Sequence, residues 1–505
     1  MVTARILSNG EAISGLFQVM GLETTKLVNK IPYAQLVLID GNAAQQDFAI
    51  SGSKSFALGT EIEILLRRGT GADFSVFKGL VSAQTIQAGG SGSQLTVEIK
   101  DKAFCMAGAR HNALYDKQST KQVIESLITR NKLKVGTINK GEVETDQLVQ
   151  YQSSDWDFLM MRAETNELLV MVEDGVVSAM AVDLSKQADH IFNYGITPCF
   201  NFEMSANAGQ QYSKVSASDW DISQQAISNP VQAKAFNLTQ GNNKTLEAGE
   251  KAFAHNEQAL QSIVASSLPQ QQTWANSAMQ KNRLAMFRGT LTLEGDAHYK
   301  QGDLIDIQGV GEVFSGKTLI TGVSHVVDEA GWQTRVQFGL SPQWFAEQYP
   351  NVAALPAAGQ VPNICGLQLA TVLAVSSEED KQKNQNSPYL IPVAIAALRD
   401  KDNPNGRKVW ARLSVPNAGK NRGWYFPPAV NDEVMVGFLN DDPAAAIILG
   451  SAYSNKNAPP VDYGNSKEKS WQGIVTANGS QLGFDDNNQL MRLMVPKGDK
   501  AEQKK

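Results

Sequence analysis

The chain has 505 residues, 42% of them hydrophobic and 19% charged, which by length suggests roughly three or four domains. A formal net charge of −6 removes any global electrostatic case for binding nucleic acid. Three widely spaced cysteines (Cys105, Cys199, Cys365) lack CxxC spacing, so they read as free thiols of a reducing compartment, not a disulfide framework or metal site.

Residues 1–14 contain no basic region followed by a continuous apolar run, so no signal peptide is expected. The longest apolar stretches, Tyr389–Leu398 and Pro443–Leu449, are too short to span a bilayer, and no stable membrane insertion is expected. The first patterned segment runs through Gly59-Thr60-Glu61-Ile62-Glu63-Ile64, Phe77-Lys78-Gly79 and Leu95-Thr96-Val97-Glu98-Ile99. Each piece is strand-like, and period-2 alternation puts Ile62 and Ile64 on one face.

Ser119–Asn131 predicts a helix with Val123, Leu127 and Ile128 on one side behind a Ser119/Thr120 start signal. Asp155–Glu167 predicts a second, capped by Ser154 or Asp155, with Phe158, Met161 and Leu159 inward. Lys251–Ser267 and Gln272–Met286 predict further helices broken at Pro269, read as a solvated polar spacer.

The first pattern then returns as Gly302-Asp303-Leu304-Ile305-Asp306-Ile307, Phe314-Ser315-Gly316 and Thr334-Arg335-Val336-Gln337-Phe338. Three matches in the same order argue for two similar small β-barrels. The competing reading is two unrelated meanders with generic strand grammar.

Val409–Tyr453 alternates apolar and polar residues between Pro, Gly and Asn turns. Val409, Ala411, Leu413 and Val415 share one strand face, with Trp410, Arg412 and Ser414 on the other. Val434, Val436 and Phe438 repeat the pattern. Gly450 is expected at a strand end that a side chain would crowd. After the Asn455–Ser470 linker, Gly473–Phe484 and Gln489–Val495 form two short strands around an Asp485-Asp486 turn, followed by a charged tail.

Tyr151-Gln152-Ser153-Ser154-Asp155-Trp156-Asp157-Phe158-Leu159, followed by Arg162-Ala163-Glu164, resembles a motif of VgrG spike proteins of type VI secretion systems, contractile phage tails and extracellular injection particles. Ser153 departs from it, standing where an acidic residue is common. Val409–Tyr453 resembles the baseplate OB domain of the same family, through Trp410-Ala411-Arg412-Leu413, Gly423-Trp424-Tyr425-Phe426-Pro427, Asp432-Glu433-Val434, Gly437-Phe438, Asp442-Pro443 and Leu449-Gly450-Ser451-Ala452-Tyr453.

The resemblance implies a mainly β fold with minor α. It comprises two similar β-barrel hub domains, an OB-fold barrel and a short C-terminal trimeric β-prism. The expected divisions are 1–110 (first hub barrel), 111–285 (α/β insertion and helical linker), 286–350 (second barrel), 360–458 (OB fold) and 471–505 (prism tip and charged tail). The implied protein is a homotrimeric central spike of a contractile injection system, the short spike of an extracellular particle. It would dock on the hexameric inner tube and pierce the target envelope. Its implied partners are the inner tube protein, baseplate proteins, a PAAR-like tip protein and a cargo or effector. It would be made in the cytoplasm and assembled into a particle released from the cell. Three chains with two barrels each would present six equivalent surfaces to a sixfold tube.

No catalytic, cofactor-binding or metal site is expected. His111, His190, His255, His298 and His325 are scattered, without HExxH. There is no G-x-S-x-G, and no P-loop is expected. Glu378-Glu379-Asp380, Asp441-Asp442 and Asp485-Asp486 read as solvated loops, not acid/base pairs. Trp410, Trp424, Tyr425 and Phe426 could stack on bases, but with only Lys408, Arg412, Lys420 and Arg422 nearby they read as packing or subunit contacts. Two alternatives are a spike carrying an envelope-degrading enzyme, for which neither the Asn455–Ser470 interval nor the residues past Val495 leave room, and an OB-fold glycan- or nucleic-acid-binding protein.

Overall fold

The computed structural model describes residues 2–89, 92–238, 240–241, 257–398, 407–460 and 471–496. Two bodies, Met1–Ala353 and Ala354–Lys505, are each held by their own contacts. Among the described residues no helix is long and apolar enough to cross a membrane.

The first body begins with β1 (Val2–Ser8), β2 (Glu11–Ala12), β3 (Val19–Leu27), β4 (Tyr33–Ile39), β5 (Glu61–Arg68), β6 (Phe74–Gly89) and β7 (Gly92–Lys100). They pair antiparallel in the order β2-β1-β5-β6-β7-β4-β3. Alternation sends Leu36, Leu38, Ile62, Ile64, Val97 and Ile99 inward, where each is fully buried. The outward Glu61 pairs with Lys102 at 2.6 Å and Lys78 at 3.0 Å.

Next come β8 (Arg110–Ser119), α1 (Thr120–Arg130), β9 (Lys134–Ile138), β10 (Glu144–Ser154), α2 (Asp155–Glu164), β11 (Leu168–Glu173) and β12 (Val176–Ala181). A capping box between Ser119 and Gln122 starts α1, and the Ser154 hydroxyl accepts the Asp157 N–H to start α2. The predicted second helix is three residues too long. It ends at Glu164, where the Asn166 side chain donates to the Arg162 carbonyl and Glu167 takes a positive φ. Leu159 and Met160 are its most buried large side chains, and Met161 is only half-buried. With Trp156 and Phe158 they join Val123, Ile124, Leu127 and Ile128 of α1 in one core.

The second unit consists of β13 (His190–Asn193), β14 (Cys199–Ala206), β15 (Lys214–Asp221), β16 (Ala226–Ile227), β17 (Val231–Gln232), β18 (Glu257–Ser262), α3 (Leu268–Leu284), β19 (Phe287–Glu294), β20 (Leu304–Gln308), β21 (Gly316–Asp328) and β22 (Gly331–Phe338). Its path β20-β21-β22-β19-β14 repeats β5-β6-β7-β4-β3 strand for strand, in the same chain order and the same antiparallel sense.

Pairing registers make the equivalence residue by residue. Leu36, Leu38, Ile62, Ile64, Val97 and Ile99 correspond to Leu291, Leu293, Ile305, Ile307, Val336 and Phe338, all buried. Two of the three irregularities of the first unit repeat as well. A bulge between Val81 and Ala83 matches one between Ile320 and Gly322, and one between Val19 and Gly21 matches one between Cys199 and Asn201.

Other parts of the repeat diverge. The two F-x-G pieces are out of register, since Gly79 lies opposite Ile62 whereas Gly316 lies opposite Ile307. The outer strand of the unit is paired by antiparallel β1 in one case and by parallel β13 in the other. Of the strands of the second unit, the segment expected for the second barrel, 286–350, holds β19–β22. β13 and β14 come from within 111–285, because β14 reaches β19 across an insertion. The two units share one 13-stranded sheet, joined where Leu22–Leu27 of β3 pair with Gly322–Val327 of β21.

The spacer expectation is corrected. Residues 251–256, with His255, lie outside the described residues, and Glu257–Ser262 form a strand parallel to β15 because their alternation buries Leu260 against Val215, Ala278 and Met279. Pro269 opens α3 instead of breaking a helix. That helix is not a solvated spacer, for Ala275, Ala278, Met279, Leu284 and even Arg283 are buried. Arg283 donates to Gln211 and to the Tyr212 carbonyl, each at 2.9 Å.

In the second body, β23 (Gln368–Val372), β24 (Leu390–Ile395), β25 (Lys408–Leu413), β28 (Glu433–Phe438) and β29 (Ala446–Ser451) close a five-stranded barrel, β25 and β29 being its one parallel pair. The hairpin β26 (Ala418–Gly419) and β27 (Arg422–Gly423) lies between β25 and β28. Ala411, Val434, Val436 and Ile448 are fully buried at its core, with Val409 and Leu413 packed beside them. Gly450 departs from expectation: a side chain there would meet nothing within 4 Å. The last sheet has three strands, not two: β30 (Trp471–Val475), β31 (Gln481–Asp485) and β32 (Leu490–Met494). A turn in which the Thr476 N–H donates to the Ser480 carbonyl splits the expected first strand. The charged tail from residue 497 lies outside the described residues.

Candidate functional site

The motif that begins α2 builds a buried polar knot. Asp155, 1% exposed, accepts from Arg130 Nε at 2.9 Å, Asn131 Nδ2 at 2.7 Å and Gln150 Nε2 at 2.9 Å, and Arg130 Nη2 closes the pair. Burial pushes the Asp155 carboxyl up, but the hydrogen bonds from Arg130, Gln150 and Asn131 outweigh it and hold the group below its ordinary value. Tyr115 donates to Gln150 at 3.1 Å, completing a network that ties β8, α1, β10 and α2 together. Trp156, 6% exposed, lies in the apolar core beside it.

At the far end of α2, Glu164 pairs with Lys281 of α3 and accepts the Phe345 N–H at 2.7 Å. A cleft of about 190 Å³ opens there, walled by Glu164, Lys281, Lys30, Leu169, Thr321 and Phe345, with Glu164 and Lys281 paired to each other. The polar side chains of the motif thus bond one another and their neighbours in the fold. The sequence points to Asp155, Trp156 and Glu164, whereas Arg130, Asn131 and Gln150 carry no pattern and are found only once the chain is folded.

Three of the described histidines each have a partner of their own. His190 bonds Asp303 at 2.9 Å beneath the Tyr299 ring, and His298 bonds its neighbour Asp296. His325 is buried under Trp332 and bonded to Thr334 at 3.0 Å, and burial lowers it to about 4. Among the described residues no three His, Cys, Asp or Glu side chains gather as metal ligands.

Of the acidic clusters, Glu378-Glu379-Asp380 is the first turn of a helix, α4 (Glu378–Asn386), where a Ser377/Asp380 capping box replaces the expected loop. Asp380 also pairs with Lys408, which holds its carboxyl down at about 2. Asp485 folds a turn, accepting the Asn487 and Asn488 N–H groups at 3.1 and 3.2 Å.

The exposed apolar groups of the second body include two sets. Trp424, Tyr425 and Phe426 follow the β26–β27 hairpin and are 52%, 75% and 55% exposed. Trp410 lies separately under the Lys383 ammonium, which is 5.3 Å from its ring centre. In the last sheet Leu482 lies opposite Leu493 and Phe484 opposite Met491, and all four are exposed on one face.

Known proteins resemble this chain in both bodies. The Alg8 N-terminal domain family matches residues 1–329, and the type VI secretion system/phage-baseplate injector OB domain matches 391–453, spanning β24 to β29. The type VI secretion system spike protein VgrG1c of Pseudomonas aeruginosa is 30% identical over 102 residues, 19% of this chain and 14% of that protein. The actin cross-linking toxin VgrG1 of Vibrio cholerae is 29% identical over 156 residues, 30% of this chain and 13% of that one. The chain thus spans only a small part of the curated relatives it matches. In fold, the 43 kDa tail protein of prophage MuSo2 from Shewanella oneidensis superposes with a TM-score of 0.51 at 11% identity, over 68% of this chain and 99% of that one. The chain belongs to the Alg8 N-terminal domain family and, with a baseplate OB barrel behind that domain, is a VgrG-like spike protein.

Proposed function

We propose that three copies of this chain form the central spike of a contractile injection system, a mechanical part without catalytic activity. The duplicated five-strand unit carries this reading, because three chains with two such units each supply six like surfaces for a sixfold inner tube. The exposed face of Leu482, Phe484, Met491 and Leu493 adds support. A lone three-stranded sheet leaves these side chains in water, whereas three copies around an axis would bury them. The spike would sit in the baseplate, dock on the tube through its first body and pierce the target envelope with its tip, capped by a PAAR-like protein. Its particle would be assembled in the cytoplasm and released from the cell, with cargo or effector proteins as further partners.

The test is the mass of the purified protein, alone and with its tube protein. Three times the 54.7 kDa monomer is expected, and a monomer under both conditions would refute the reading. Turnover of peptidoglycan or envelope glycan would refute the non-enzymatic part.

A further inference from the structure

Where the two units join, the paired strands carry a polar cavity on one face. Opposed residues of antiparallel strands share a face, so the register of β3 and β21 puts Thr24 with His325 and Lys26 with Val323 on the same side. All four line a cavity of about 210 Å³, several times what one water needs. Phe74 and Ser75 of β6 and Glu173 at the end of β11 wall it. The connection between β19 and β20 crosses it with Tyr299, Lys300 and Asp303.

The floor offers hydrogen-bonding groups that the fold leaves unused. His325 is 5% exposed, and its Nδ1 receives the Trp332 Nε1–H at 3.3 Å. An indole N–H only donates, so Nδ1 is the acceptor and the neutral ring carries its hydrogen on Nε2. Among the described residues nothing accepts that Nε2–H, and the hydroxyl of Thr24, itself 1% exposed, has no partner either. Buried polar groups are rarely left so. The Lys26 side chain is 14% exposed, and its ammonium lies 3.5 Å from Glu173 and 3.8 Å from Asp174, long for ion pairs. Asp303 receives His190 and the Lys300 N–H through Oδ2, and its Oδ1 has no partner among the described residues.

The charges select the guest. A cation in this cavity would meet Lys26 and Lys300, and an anion would meet Glu173 and Asp303. A hydroxyl group both donates and accepts, so it suits the His325 N–H and the Asp303 carboxylate alike. The Tyr299 ring, half-buried with its centre 4.5 Å from that of His190, and the Phe74 ring add apolar faces on which the C–H side of a sugar ring can pack. We infer that this cavity binds a small neutral polyol, of the class of a single sugar ring, whose hydroxyls accept from His325 Nε2 and Thr24 and donate to Asp303. Its walls come from both units and from the β11–β12 hairpin, so a bound sugar ties the three together. The site lies within one copy of the first body and does not depend on the trimer proposed above.

Saturation-transfer NMR on the full-length protein tests this with glucose, galactose, mannose, N-acetylglucosamine and myo-inositol, and with acetate and methylammonium as charged rivals. At least one of the neutral compounds should receive saturation that levels off on titration, and neither ion should displace it. Two variants attack the site differently. Thr24→Val keeps the volume and removes the hydroxyl, while Tyr299→Leu removes the ring from the β19–β20 connection. Each should weaken binding about tenfold. Sugars also stabilise proteins by exclusion from their surface, so only the saturable part of the rise in Tm should shrink in the variants. No saturable transfer from any of the neutral compounds would overturn the assignment. So would unchanged binding in a variant that keeps the wild-type near-UV circular dichroism, or displacement of the sugar by acetate or methylammonium.

Discussion

Replacing Asp155 with asparagine tests the claim that the α2 motif is a structural knot. Asp155→Asn keeps the shape but removes the charge that receives Arg130, Asn131 and Gln150. Hydrogen bonds to a charged group contribute about 1.5–3 kcal/mol each, but not all of that is lost. Asn131 and Gln150 also donate to the Leu127 and Ser153 carbonyls, and the Arg130 side chain is 36% exposed and can turn to water. A net loss of about 2–3 kcal/mol follows for a partly accessible pair. The first body spans 353 residues. At about 2.1 cal/mol/K per residue its unfolding entropy is roughly 0.7 kcal/mol/K, so calorimetry should show its transition about 3–4 °C lower at neutral pH. The carboxyl is depressed in the folded state. Its contribution is therefore complete above the unfolded value near ~3.9 and is lost as pH falls through the folded value, so the gap between wild type and variant should narrow below about pH 4. A shift under about 1 °C at neutral pH, or a gap unchanged until acid unfolding, would refute the argument.

Trp156→Ala removes a large side chain from the α1/α2 core and should cost about 3–5 kcal/mol, and an unmoved calorimetric transition would place Trp156 outside that core. His325 is held neutral with its pKa lowered to about 4, so the unfolded chain binds its proton first, and stability falls as pH drops from the unfolded value near 6.5 through the folded one. At about 1.4 kcal/mol per pH unit this costs about 3 kcal/mol in all, and a His325→Gln protein should melt with a flatter dependence between about pH 6.5 and 4; identical slopes would sink the idea. Gly450→Ala should be neutral or raise stability by a few tenths of a kcal/mol, because its side chain enters open space, and a loss above about 1 kcal/mol would contradict that geometry. Phe484→Asp with Leu493→Asp places charge on the exposed face of the last sheet, so a trimer should fall apart or loosen while the melting of the first body stays unchanged.

Period-2 alternation with β-branched and leucine residues marked β5, β7, β20, β22 and, in the barrel, β25 and β28, because each buries one face and the pattern needs no distant information. The caps at Ser119 and Ser154 are equally local. What stayed hidden depended on partners far away in the chain. Glu257–Ser262 reads as helix from composition, yet β15 claims it as a strand. Arg283 and Gln271 look solvated until the fold buries them. The match of β14 to β3 carries no motif either. It lies in a register that only the pairing of both units exposes.

That register also explains which parts of the repeat kept their form. The two units differ in the sense of their closing strand and in the placing of F-x-G, changes that alter one turn or one end of the sheet. Two bulges are common to both units, although each is an extra residue that interrupts a ladder, whereas the irregularity between Ile64 and Leu65 has no counterpart in the β20–β21 pair. A bulge gained or lost in one unit would slip its strand by one residue, send Leu22 or Phe202 to the opposite face and leave β3 and β14 with unlike edges. Units that needed only a stable core could have absorbed such a slip by repacking. Units that must present equivalent surfaces to a sixfold partner, as proposed above, could not. The two matched bulges are what that reading requires of a duplicated unit.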